Sequence, residues 1–293
     1  MTREELIGAL EIGGTHVTAA LVSIAGRGVV AGSMQRQEIA PDGTREELVR
    51  SVIDAASRVA RPAVPRWGVA TPGPFDYARG ISLIRGVAKL EALYGVDLRT
   101  ELSKTLSVRP QDVSFLNDAD AFLIGEWWAG AARGHGRAIG VTLGTGLGSA
   151  FIAGGQIVET DPDVPPEGRL DLIPFRGAPV EETLSRRGLS AAYGDRSTDI
   201  AEIARRAALG EARAAEVLRR FGAALGEFLA PWTRRFAPTC VVLGGSIARS
   251  WDLWSEDFRA AGPRDMDLTW YGVAEHLDEA PLLGAAYHAA RAR

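Results

Sequence analysis

Three times in this chain an apolar run of strand length stops at a glycine-rich turn. Leu10-Glu11-Ile12 runs into Gly13-Gly14-Thr15, Val141-Thr142-Leu143 into Gly144-Thr145-Gly146, and Val241-Val242-Leu243 into Gly244-Gly245-Ser246. Glycine at such a turn lets backbone approach a ligand closely and leaves N–H groups free to point at an anion. One turn of this kind is ordinary punctuation. Three, each closing a strand, predict an α/β protein of two related lobes that holds its ligands at strand ends.

A fourth feature lies close to the second turn. Residues 113–116 read as a strand that delivers Asn117-Asp118 at its carboxyl end. Asp118 has two readings from sequence. A carboxylate at a strand end is a candidate general base, and an Asp between strand and helix is equally a helix N-cap.

The rest of the chain supplies the frame. Residues 7–12 and 17–24 read as strands, with a third over 28–37. Residues 44–60 read as a helix, with a capping box from Thr44 and Glu47 and an apolar face of Leu48, Val49, Val52, Ile53 and Ala56. The strand at 67–70 ends at Thr71-Pro72-Gly73-Pro74, a stiff turn that either lines a pocket or punctuates a loop. Short helices are predicted at 97–106 and 119–132. In the second, adjacent Trp127 and Trp128 cannot share one face. A hairpin follows at 138–143 and 148–153, then a long loop over 155–178. Helices are predicted at 180–189, 198–209 and 211–235, the last kinked or divided at Pro231. A strand at 240–243, a short helix at 247–254, a strand within 266–273 and a closing helix at 281–293 complete the reading.

Composition narrows the function classes. At 293 residues, 46% of them apolar, there is chain enough for roughly two domains with their own cores. A net charge of −4 without a basic cluster leaves no footprint for nucleic acid. Cys240 is the single cysteine, so no internal disulfide forms, and its apolar run marks it as a buried small hydrophobe. The charged start of the chain is unlike a signal peptide, and no apolar run approaches the roughly 20 residues that span a bilayer. A cytoplasmic protein is expected.

Set side by side, these segments resemble the ROK family of sugar kinases, within the actin-like, hexokinase-like (ribonuclease H-like) superfamily. Glu11-Ile12-Gly13-Gly14-Thr15 resembles the first phosphate motif, Thr71-Pro72-Gly73-Pro74 the PGP turn, and Leu116-Asn117-Asp118-Ala119-Asp120-Ala121 the sugar-binding and catalytic segment. Thr142-Leu143-Gly144-Thr145-Gly146-Leu147-Gly148 is similar to the second phosphate motif, and Leu243-Gly244-Gly245-Ser246 to the adenosine-side motif. The resemblance runs over nearly the whole chain. It implies two lobes about a cleft, residues 1–118 with the closing helix at 281–293, and residues 119–280. It implies transfer of a terminal phosphoryl group from ATP to a sugar hydroxyl, with Mg2+ escorting the nucleotide, and a homodimer.

Carried over residue by residue, the resemblance makes Asp118 the general base. Gly73, Asn117, Asp118, Glu167 and Glu181 would bind sugar. Gly13, Gly14, Thr15, Gly144, Thr145, Gly146, Gly244, Gly245 and Ser246 would bind nucleotide. Glu11 stands where the family has Asp, and would contact magnesium through water. The alternative for both Glu167 and Glu181 is a solvated loop or helix face.

The chain departs from the family elsewhere as well. Residues 155–200 hold no Cys and no His, so the family's zinc site is not expected. The sugar-contacting E-x-G-H segment falls near Pro166-Glu167-Gly168-Arg169-Leu170, where the His is missing. A lost imidazole alters which hydroxyls a pocket can read, so the acceptor is a sugar or a sugar-like cyclitol rather than necessarily glucose. The first phosphate motif begins at residue 11, leaving no room ahead of it for a helix-turn-helix, so a DNA-binding repressor is not expected. Two rivals stand beside the ATP-dependent kinase: a polyphosphate-dependent glucokinase-like enzyme, and a sugar- or nucleotide-binding regulator without turnover.

Overall fold

The structure, a computed structural model, describes residues 5–86, 89–262 and 269–292. Its contacts divide the chain into two units. One is Met1–Gly130 with Asp278–Arg293, the other Ala131–Leu277.

In the first unit β1 (Leu6–Ile12) and β2 (His16–Ser23) form an antiparallel hairpin with Ile12 opposite Val17. In place of the one strand expected over 28–37, two short strands, β3 (Gly28–Val29) and β4 (Gln35–Glu38), pair separately with β2. Between them the chain leaves the sheet through Gly32 at φ 73°, and the Ser33 hydroxyl accepts from Leu21 N–H at 3.1 Å. Helix α1 (Arg45–Val59) carries both bonds of the capping box, and buries Leu48, Val52, Ala55, Ala56 and Val59.

Strand β5 (Trp67–Thr71) is buried throughout and runs parallel to β1. The small hairpin of β6 (Phe75–Asp76) and β7 (Ile81–Ser82) follows, then α2 (Leu98–Leu106), capped by Asp97. Strand β8 (Val113–Asn117) pairs parallel with β5 and feeds directly into α3 (Asp118–Ala129). The sheet order is β3-β2-β1-β5-β8.

The closing helix, Ala280–Arg291, packs on α3 in this same unit. Glycines set the approach. A Cβ at Gly125 would overlap the backbone of Ala280, and one at Gly284 would overlap that of Ala121. The adjacent Trp127 and Trp128 both meet the Tyr287 ring, at centroid distances of 6.1 and 5.4 Å. They reach one partner from two sides.

The second unit repeats the pairing order of the first. β9 (Arg137–Leu143) and β10 (Leu147–Ala153) form an antiparallel hairpin, with β11 (Gln156–Ile157) at its edge. β14 (Cys240–Gly244) runs parallel to β9, and β15 (Trp270–Val273) parallel to β14. Of the strand expected within 266–273, positions 266–268 lie outside the described residues. Between the hairpin and β14 come the pair β12 (Pro174–Phe175) and β13 (Ala178–Pro179), then α4 (Arg186–Tyr193), α5 (Ile200–Ala208) and α6 (Ala212–Phe236).

Several expectations for this unit are corrected. The 155–178 segment is not a bare loop: it contains β11, two 3-10 turns and the β12–β13 hairpin. The helix expected over 180–189 is a 3-10 turn, Val180–Glu182, followed by a fresh start of α4. Ser185 is extended (φ −147°) and its hydroxyl accepts from Gly188 N–H, so it caps a new helix rather than continuing an old one. Pro231 does not divide α6, which runs 25 residues without a break. A proline inside a helix costs about 3 kcal/mol. Phe228, Leu229, Trp232 and Phe236 are buried around it, and each contributes about 1.5–3 kcal/mol, which outweighs the lost bond. Helix α7 (Ser255–Ala261) had no counterpart in the sequence reading. Among the described residues no helix is long and apolar enough to cross a membrane.

Candidate active site

The first unit presents three parallel strand ends side by side. Register pairs Glu11 of β1 with Ala70 of β5, and Thr71 of β5 with Asn117 of β8. In open α/β sheets the carboxyl ends of parallel strands are where ligands bind. Here those ends carry the Gly13-Gly14-Thr15 turn, the Thr71-Pro72-Gly73-Pro74 turn and Asn117-Asp118.

Asn117, not Asp118, caps α3. Its side-chain oxygen accepts from Ala119 N–H at 2.9 Å and Asp120 N–H at 3.4 Å. Its Nδ2 donates to the Tyr77 hydroxyl at 3.2 Å, and that hydroxyl donates to the Thr71 carbonyl at 3.3 Å. One Nδ2 hydrogen remains for a ligand, because an amide nitrogen carries two donors. Tyr77, which sequence reasoning missed, ties the Pro-Gly-Pro turn to the Asn-Asp strand end.

Asp118 is the first residue of the helix and is half-buried. One of its oxygens, Oδ1, accepts from Ala119 N–H at 2.9 Å. Burial pushes its carboxyl above the usual carboxylate range. The Lys89 ammonium and the Ala119 N–H oppose that rise, and the neighbouring Glu11 carboxylate adds to it. The result is a carboxylate made more basic by its surroundings, the direction a general base needs.

Glu11 lies 3.7 Å from His16 Nε2. Gly13 N–H donates to His16 C=O at 2.8 Å, closing the turn tightly, and the Thr15 hydroxyl is 3.4 Å from His16 Nδ1. Gly73 and Thr15 are exposed.

The second unit builds its own cluster. Gly144 N–H donates to Gly146 C=O at 3.0 Å, and Thr145 stands exposed at the tip. Glu181 Oε1 accepts from Leu147 N–H at 3.1 Å, and its carboxylate fills the space a side chain at Gly146 would need. Arg186 N–H donates to Gly144 C=O at 2.8 Å. The turn is thus braced from both sides by residues 181 and 186. Gly245, at φ 81°, packs against the Leu143 backbone, so the third glycine turn lies directly on the second.

Glu167 sits in a left-handed conformation (φ 58°) that non-glycine residues seldom adopt, with an exposed side chain 3.7 Å from Arg169. The segment is pinned to β10. The Ser149 hydroxyl donates to Gly168 C=O at 2.7 Å and accepts from Leu170 N–H at 2.8 Å. Within the first unit the structure therefore gathers Glu11, Gly13, Gly14, Asn117 and Asp118. Within the second it gathers Gly144, Thr145, Gly146, Glu181, Gly244 and Gly245. Among the described residues no group of three or more His, Cys, Asp or Glu stands together as a metal site.

The sequence model of the ROK family matches residues 7–292. A glucokinase of Thermotoga maritima is 28% identical over 98% of this chain and 97% of its own length. An N-acetyl-D-glucosamine kinase of Pectobacterium carotovorum is 27% identical over 73% of this chain and 76% of its own. Among solved structures, the ROK hexokinase from Thermus thermophilus superimposes with a TM-score of 0.67 at 25% identity, covering 96% of each chain.

Proposed function

The chain belongs to the ROK family, and from that premise we propose that it is an ATP-dependent sugar kinase with Asp118 as general base. The observation that supports this reading best is the Asn117-Asp118 pair. The cap of α3 is made by Asn117, so the helix start does not depend on Asp118 alone, whose Oδ1 shares the Ala119 N–H.

The chemistry runs as follows. An acceptor hydroxyl passes its proton to Asp118 as its oxygen attacks the terminal phosphorus. The bond to the ADP oxygen breaks as the new one forms. Phosphoryl transfer needs positioning and charge stabilisation more than covalent help. Gly13 and Gly144 N–H are bonded inside their own turns, so the backbone N–H groups of Gly14, Thr145 and Gly146 are the ones that would supply donors of that kind. Glu11, at the carboxyl end of β1, would contact magnesium through water, which suits an ion that uses one or two carboxylates and keeps several waters. Magnesium, when bound with the nucleotide, neutralises phosphate charge.

Glu181 has a different emphasis from that implied by resemblance alone. Its Oε1 braces the second glycine turn, so it holds the nucleotide cradle whether or not its other oxygen meets the sugar. The acceptor we propose is a hexose, amino sugar or cyclitol, with Asn117 Nδ2 donating to a hydroxyl beside the reacting one.

A coupled assay tests the proposal. The protein is offered ATP or polyphosphate with a panel of hexoses, amino sugars and cyclitols. We expect turnover with ATP, and a loss of roughly 10²-fold or more in Asp118→Asn, the scale of a missing general base, with sugar still bound. Ligand binding without turnover for any donor would leave a regulator and overturn the kinase reading.

A further inference from the structure

Of the 33 basic residues in this chain only two, Lys89 and Lys104, are lysines. Lysine is a compact point charge where arginine is a planar fork, so a chain that uses arginine almost everywhere has kept lysine at two places. Lys104 is exposed in the last turn of α2, where a cation suits the helix dipole. Lys89 belongs to no helix or strand.

Lys89 lies over the first glycine turn. A Cβ placed on Gly14 would stand 2.9 Å from its Cδ and 3.5 Å from its Nζ. The bare Gly14 backbone is what lets the lysine stem rest there. The side chain is half-buried, and its ammonium acts on Asp118 from within the same unit. Among the described residues it forms no salt bridge with either Asp118 or Glu11. One cation therefore sits over a cradle of backbone donors, near the residue that would take the acceptor's proton.

We propose that Lys89 is a catalytic residue, the cation that holds the transferring phosphoryl group over the Gly13-Gly14 turn. This rests on the kinase reading and goes beyond it. The terminal phosphate oxygens carry the charge that spreads as the bond to ADP breaks and the bond to the acceptor oxygen forms. An ammonium above the turn meets those oxygens, and the acceptor proton goes to Asp118, not to Lys89. Fixed positive charge aimed at such a transition state is worth about 10²–10³ in rate.

The test compares the parent with Lys89→Met and Lys89→Arg. For Lys89→Met we expect kcat to fall about 10²–10³-fold and sugar Kd by calorimetry to stay within about twofold. Lys89→Arg, which keeps the charge on a longer stem, should recover part of the rate. Thermal melting of each variant confirms that it is folded. If Lys89→Met turns over at the parent rate, the clamp is refuted while the kinase reading stands. A rate loss matched by an equal loss of sugar affinity equally refutes the clamp. If the parent itself phosphorylates nothing, the kinase reading fails first.

Discussion

Gly284→Ala separates two opposed forces by sign. Gly284 lies within the closing helix, Ala280–Arg291. By helix propensity alone, alanine for glycine stabilises a helix interior by about 1 kcal/mol. The packing says otherwise. A Cβ on Gly284 would overlap the Ala121 carbonyl oxygen, and stand 2.7 Å from its carbon and 2.9 Å from Gly125 N. These are backbone atoms of α3, which cannot swing aside as a side chain can. To reach ordinary contact the helices must part by roughly 1 Å, and a gap of that size forfeits a quarter to a half of the dispersion well along the contact. The neighbours that lose contact are Ala121, Ala285 and Ala286, all fully buried. Overpacking of this kind costs about 1–3 kcal/mol. After the propensity gain the net is a destabilisation of up to about 2 kcal/mol, which at about 2–4 °C per kcal/mol lowers the melting temperature by up to about 8 °C. Because α3 begins at Asp118, turnover should fall as well. The assays are thermal and urea denaturation by circular dichroism, with kcat measured beside them. A variant more stable than the parent would refute the close helix approach.

Other perturbations follow from the same geometry. Asp118 has a raised pKa in the folded state. Between the ordinary value near 4 and that raised value, the native state binds more protons and stability falls as pH rises. Asp118→Asn removes this cost, so near pH 7 it should melt no lower than the parent while losing about 10²-fold in turnover. A clear drop in its melting temperature would contradict the assignment. Glu181→Ala frees the Leu147 N–H and loosens the brace on the Gly144 turn. We expect KM for ATP to rise about 5–30-fold, the reach of a charge-assisted hydrogen bond of about 1–2 kcal/mol, measured by initial rates at saturating sugar. A chelator of divalent ions should abolish ATP-dependent turnover and leave the melting temperature unchanged.

How far residues could be read before coordinates depended on how local their logic is. The capping box of α1 is four residues long, and the bonds between Thr44 and Glu47 form as its spacing requires. The hairpins around Gly13 and Gly144 are equally local, because an apolar run, a glycine turn and a second apolar run specify them without help. Pro231 misled because its effect is not local. Buried aromatic residues on either side override the missing donor. Residues 180–189 misled for the opposite reason: helical apolar spacing masked a serine better suited to starting a helix than to continuing one. Which residue caps α3 was not separable in sequence, since either residue of Asn117-Asp118 can cap, and only the Asp120 N–H bond to Asn117 singles out Asn117. Lys89 and Tyr77 lie in the 76–110 stretch, where no periodicity marks them. The available cue was compositional, the rarity of lysine among so many arginines.

The closing helix completes a unit that β1 began, while residues 131–277 form the other unit in between. A ribosome therefore delivers everything the inner unit needs before it delivers the last piece of the outer one. Until then Ile7, Ala9, Ala20 and Val22, which that helix later covers together with Trp128, lack that cover. The unit made of the middle of the chain can therefore close before the unit made of its two ends, and between emergence of Gly130 and of Asp278 the first unit's apolar surface is open to misassembly.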